Sequence, residues 1–155
     1  MEHEANKRFI EALTRSQIYQ DYERAFSKTT GLPLSLRPVE SWHMAQHGKK
    51  TENPFCALMA ENNRACAACL EAQQKITEAA GAGPRTVKCF AGLCDTGVPV
   101  SIGDELLGFL QTGQVALQKL TRHRFQHLVK WLGEGSRNDD WEAIEKAFFD
   151  SPQMS

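Results

Sequence analysis

The residues with the most chemistry to offer are the five cysteines, Cys56, Cys66, Cys69, Cys89 and Cys94, all confined to positions 56–94 of a 155-residue chain. Thiolates ligate soft and borderline metals, exchange into disulfides and attack electrophiles. Cys66 and Cys69 are three apart in an Ala-rich stretch. On a helix that spacing makes them neighbours on one face, with Cβ atoms about 5–6 Å apart, which suits two thiolates on one ion. Cys89 and Cys94 flank an Ala-Gly-Leu turn in "KCFAGLCDTGVPV". If the helix packs across the strand ends, Cys56, Cys66, Cys69 and Cys89 supply a tetrahedral set for zinc or the thiolates of an Fe–S cluster. The spacing C-x9-C-x2-C-x19-C-x4-C matches no zinc-finger pattern. The competing reading is packing, since free cysteine behaves as a small buried hydrophobe. Cys69 then belongs to an apolar helix stripe and Cys94 to a strand.

A second group of candidates is polar and sits in an apolar strand. In "FLQTGQV" (109–115), period-two alternation puts Leu110, Thr112 and Gln114 on one face and Phe109, Gln111, Gly113 and Val115 on the other. Thr112 and Gln114 would hydrogen-bond a small hydroxylated ligand, with Leu110 as the apolar wall. Asp95 would accept from the same ligand, or else cap a turn. On this reading Gln114→Leu abolishes ligand binding and changes unliganded stability by no more than about 1 kcal/mol. His123/His127 and His43/His47 each have the i, i+4 spacing of a chelating pair, but neither has a third ligand nearby, and a solvated face accounts for both. Trp42, Trp131 and Trp141 are pocket candidates, with Trp131 better placed as core or interface beside Leu128 and Leu132. No nucleophile elbow, phosphate loop, metalloprotease motif or dinucleotide fingerprint is present. A thiol enzyme using Cys89 or Cys94 would lack a His partner placed by any motif, so no catalytic residue is assigned.

The elements that must position these groups follow from periodicity. Residues 4–28 read as one amphipathic helix, with Phe9 and Leu13 and then Ile18, Tyr22 and Phe26 at spacing four. "TTGLP" stops it. "LPLSLRPV" alternates as a short strand that Pro38 confines to an edge or end. "SWHMAQHGKKTENP" reads as a polar loop or weak strand. From Pro54 to Ala80 the chain is helix-forming, with Ala65, Cys69, Ala72 and Ile76 on one stripe. "RTVKCFAGL", "GVPVSIG" and "ELLGFLQTGQVAL" read as a three-strand meander, with Gly103-Asp104 as a hairpin turn. Two helices close the chain, over roughly 121–133 and 139–150, the second capped by Asn138 or Asp139. This order predicts an α+β fold with a single antiparallel sheet and helices gathered beside it.

Composition limits the function classes. Hydrophobic residues at 41% and charged residues at 24% are those of a globular domain. A formal net charge of -1 offers no electrostatic footprint for nucleic acid or an anionic membrane. "MEHEANKRF" lacks the apolar core of a secretory signal, and no run approaches the ~20 apolar residues of a membrane span. The expected setting is cytoplasmic, and there an odd number of cysteines argues against a disulfide framework.

Taken together, "NPFCALMAENNRACAACLEA", "VKCFAGLCDTGVPV" and "LLGFLQTGQV" resemble the PocR-type sensory domain. The matching positions are Phe55-Cys56, Cys66, Cys89 to Leu93, Asp95, Pro99-Val100, Leu107-Gly108 and Gly113-Gln114-Val115. The closing "FFDSPQMS" also matches, so the resemblance spans about residues 25–155. Phe90 stands where the family often has histidine, and Cys69 and Cys94 are additions to its pattern. The resemblance implies a PAS-like sensor of small molecules such as short diols, joined to an AraC-type DNA-binding module or a histidine kinase outside this chain. The resulting division is an N-terminal signalling helix over 1–30 and a sensor domain over 31–155. A homodimer through the terminal helices is expected. The rival reading makes the cysteines themselves the input, as a zinc or Fe–S redox sensor.

Overall fold

The computed structural model describes residues 2–41, 43–133 and 140–154. Trp42 and the expected caps Asn138 and Asp139 lie outside the described residues.

The expected N-terminal helix is two. α1 (Glu2–Thr14) ends at Arg15, and Ser16 caps α2 (Gln17–Thr30) by accepting from the Tyr19 amide. A serine in extended backbone takes one of the free amides of the first turn and restarts the helix in a new direction. Gly31 in the left-handed region then closes α2. The inward face is carried by Ile10 and Tyr19, buried against Leu36 and Leu107 with Leu13 packed beside them, while Phe9 of the expected stripe is left 46% exposed. The Ile18 and Tyr22 stripe does not turn inward, remaining 82% and 56% exposed.

β1 (Leu34–Pro38) is an edge strand, as Pro38 requires. The segment after it is loop and turn. The long Ala-rich helix is also divided: α3 (Pro54–Met59) and α4 (Asn63–Glu78) each start on an asparagine cap, Asn53 and Asn62, with Pro54 in the first turn of α3. A 3-10 turn over Ala80–Ala82 leads to β2 (Arg85–Lys88), β3 (Leu93–Ile102) and β4 (Glu105–Ala116). The four strands pair antiparallel in the order β1-β4-β3-β2. The two-residue Gly103-Asp104 turn joins β3 to β4 as expected. α5 (Arg122–Leu132) and α6 (Trp141–Phe149) follow, and α6 is capped by Asp140, whose carboxylate accepts from the Ala143 amide.

The fold is therefore α+β and PAS-like: one open antiparallel sheet with flanking helices. α1 covers one face at β1 and β4, while α4 packs on the other at β2 and β3. The α4 contact is close: a Cβ on Gly97 would sit 2.2 Å from Ile76 Cγ2. At one end of the sheet α3, α5 and α6 enclose the largest core cluster, built on Phe55, Met59, Leu93, Phe125, Leu128 and Phe148. No helix among the described residues is long and apolar enough to cross a membrane.

Candidate functional site

The site arises where β4 leaves regular pairing. Cys94 faces Val115 and Asp95 faces Gly113, so Gln114 is the extra residue of a bulge. Gln114 sits at φ 60 and Gly113 at φ 153, both in the region that disfavours an ordinary side chain. A Cβ on Gly113 would lie 2.2 Å from Asp95 Oδ1 and 2.5 Å from the Asp95 Cα, so only glycine lets the carboxylate approach. The bulge points the Gln114 amide at that carboxylate: Gln114 N donates to Asp95 Oδ1 at 2.8 Å.

The bulge also changes which side chains share a face. Gln114 turns to the α4 side, together with Phe109 and Gln111. Leu110 and Thr112 stay on the α1 side, where Leu110 packs with Ile10 and Leu36 and the Thr112 hydroxyl donates to Pro33 O at 2.8 Å. The face predicted from strict alternation is thus split: Leu110 and Thr112 do not meet Gln114.

Gln114 and Asp95 line a partly open cavity of about 40 Å³ between α3, α4 and the sheet. Its walls carry Cys56, Cys66, Cys69 and Cys89, with Met44, Val87 and Leu93. The four cysteines singled out as ligands are therefore gathered on one space, while Cys94 is buried elsewhere in β3. Among the described residues, no three His, Cys, Asp or Glu side chains are placed to hold a metal ion. Burial pushes the Cys69 thiol up to about 12, with the charges of Cys89 and Asp95 adding to it. The Cys89 thiol rises to about 11 by burial, against hydrogen bonds from the Ala91 and Leu93 backbone. Cys56 is raised well above the ordinary range, again by burial first. At neutral pH these are thiols, not thiolates.

Behind the cavity lies a polar network that the sequence reading missed. Asp95 Oδ2 accepts from Gln111 Nε2 at 3.2 Å, and Gln111 Oε1 accepts from Arg37 Nε at 2.7 Å. Arg37 is only 4% exposed, its guanidinium also donating to Gln73 O and Thr77 Oγ1 and lying 4.6 Å from the Phe109 ring centre. Loss of hydration lowers the Arg37 pKa to about 10, partly offset by the Asp95 charge. Burial raises the Asp95 pKa, and its hydrogen bonds from Gln114 and Gln111 together with Arg37 pull it back. On the other side, Gln114 Oε1 accepts from Asn53 N at 2.7 Å, and Asn53 Nδ2 donates to Gln114 O and to Ser151 Oγ. One asparagine thus caps α3, fixes the bulge and ties down the C-terminal "SPQ" segment, which bridges β4 at Ala116. The visible signals were an arginine and a glutamine in otherwise apolar strands, and Asn53 before a proline.

The histidine pairs stand apart. His123 and His127 are exposed on α5 with Nε2 atoms 3.1 Å apart, and His47 lies beside Glu52 at the surface. Trp131 stacks on Phe90 with ring centres 4.5 Å apart, and Trp141 packs on the same core cluster.

A family model described as the sensory domain found in PocR matches residues 13–155. No curated protein and no solved structure matches the chain.

Proposed function

This chain belongs to the family of the sensory domain found in PocR, and from that membership we propose that it senses a short hydroxylated or hydrocarbon-derived molecule in the Asp95–Gln114 cavity. The observation that carries the reading is the bulge, which brings a half-buried carboxylate and a buried carboxamide to the lining of a mostly apolar cavity. A few polar groups converging in an apolar cavity is how a small-molecule site is built. A cavity of about 40 Å³ is well below the roughly 300–1,000 Å³ of a drug-sized site, so the reading is confined to ligands of a few heavy atoms. We read the domain as a binding module rather than an enzyme, reporting in a cytoplasmic homodimer to a DNA-binding or kinase module. Burial holds the Cys56, Cys69 and Cys89 thiols protonated, and protonated thiols are weak nucleophiles.

The test is a melting curve of wild-type protein with a panel of short diols, acids and amines. A ligand that binds the native state raises the midpoint by mass action. A panel that leaves the curve unmoved sinks the small-molecule reading.

A second reading, a zinc or Fe–S centre on Cys56, Cys66, Cys69 and Cys89, draws support from the four thiols sharing one cavity. It requires those side chains to draw together around the metal and to lose their protons. Absorption spectra and metal analysis of protein purified without oxygen decide it. Stoichiometric iron or zinc, lost in Cys66→Ala or Cys89→Ala, supports the centre; metal-free protein that melts as sharply as the purified form removes it.

A further inference from the structure

The cavity has a sign. Its lining includes two carboxylates, Asp95 and Glu52, and no lysine, arginine or histidine. Arg37, linked to Asp95 through Gln111, is outside the lining, and its donors are engaged by Gln111, Gln73, Thr77 and the carbonyls of Pro38 and Val39. Glu52 accepts from the Gly48 amide at 3.2 Å and sits 3.4 Å from His47 Nδ1, an exposed ring on the outer side. Counting Arg37, Asp95 and Glu52 as charged leaves a net negative interior. The thiols sense the same field, since the Asp95 charge helps raise Cys56, Cys69 and Cys89. The five sulfur atoms of Met44, Cys56, Cys66, Cys69 and Cys89 add polarizable walls without a strong acceptor or a positive charge. Asp95 spends one hydrogen bond on each oxygen, so lone pairs remain on both.

Resting on the small-molecule reading above, we propose that the preferred ligand is a short protonated amine, an amino alcohol of two or three carbons, and that carboxylates are rejected. Its ammonium group replaces the missing counter-charge on the Asp95 and Glu52 side. Its hydroxyl meets the Gln114 carboxamide, and its carbons lie against the sulfur-lined wall. A charged donor on a half-buried carboxylate is worth more than a neutral hydroxyl in the same place. A ligand carboxylate would face like charges in a poorly solvated space.

The test compares 2-aminoethanol with its neutral isostere ethane-1,2-diol and with glycolate, by calorimetry on the wild-type chain at pH 7. The expected result is that 2-aminoethanol binds about tenfold or more tighter than the diol and that glycolate does not bind. Asp95→Asn should then bring amine and diol to similar affinities. Glu52→Gln, in the same lining, provides the same comparison if Asp95→Asn fails to fold. A diol that binds as tightly as the amine overturns the charge preference and leaves the small-molecule site standing. If none of the three binds while another neutral member of the panel does, the inference fails alone. If no small molecule binds at all, the site itself fails with it.

Discussion

At the scale of single residues, Gln114 shows how far a local rule reaches. Alternation identified it as a polar side chain of interest, and it lies on the cavity floor. Alternation also grouped it with Thr112 and Leu110, and the bulge separates them. The clue was present in Gly113, because a glycine inside a strand often marks a bulge. What the clue withholds is which residue the partner strand skips, since that is settled by Asp95 and the tertiary register. The expected near-neutral cost of Gln114→Leu is also revised. Its side-chain oxygen Oε1 is the acceptor for the Asn53 backbone amide, so leucine leaves a buried donor unpaired, at about 1–3 kcal/mol. Denaturant unfolding should show that loss, and a variant as stable as wild type would show that the Asn53 contact contributes nothing.

The thiols give a second residue-scale prediction. Cys69 and Cys89 are raised from an ordinary value of 9.0 to about 12 and about 11. The native state therefore holds these protons more tightly than the unfolded chain. Their stabilising contribution is full below the unfolded value and is lost as pH rises through the folded ones. Unfolding free energy should fall between pH 9 and pH 12, by up to about 1.4 kcal/mol per pH unit for each such thiol. The thiolate absorbance of Cys69 and Cys89 in the native protein should rise only in that range. A cysteine thiolate already present at pH 7 would contradict this account and favour the metal-bound alternative.

At the scale of elements, the order of helices and strands was legible and the breaks within helices were not. The interval from Leu13 to Ile18 is five residues, not four, and marks where the apolar stripe changes register. Ser16 exploits that break as a cap. Asn62 likewise divides the Ala-rich segment, where helix propensity on both sides hides the interruption. Asp140 caps α6, a choice that propensity cannot rank because asparagine and aspartate are equivalent there. The element on which the site depends most is the bulge. Gly113→Ala would drive a Cβ into Asp95 Oδ1 and the Asp95 backbone. Overpacking of this kind against backbone, with an unfavourable φ added, should cost about 3 kcal/mol or more. Thermal unfolding of the variant measures it. A stability equal to wild type would mean that the bulge is easily rearranged and is not the fixed floor of a site.

At the scale of the whole molecule, the family and the fold class were readable because three separated segments carry the pattern and the alternating strands fix the sheet. The partner surface was readable only in part. Of the apolar positions in the first 30 residues, Ile10 and Tyr19 pack on the sheet, whereas Phe9, Ile18 and Tyr22 are 46%, 82% and 56% exposed. Such a stripe fits the proposed homodimer. Ile18→Asp with Tyr22→Asp should convert a dimer to a monomer by light scattering while leaving the melting of the monomer little changed, because neither side chain contributes to the core. Wild-type protein that is monomeric at high concentration would refute the dimer.

The central claim is that one cavity, floored by Asp95 and Gln114, is where the domain meets its ligand. Amide NMR shifts during titration with 2-aminoethanol or the best-binding member of the panel test it most directly. The account predicts perturbations concentrated at Cys56, Cys66, Cys69, Cys89, Asp95 and Gln114. Perturbations confined to the open surface groove of Lys88, Arg124 and Lys130, with the cavity amides unmoved, would contradict it.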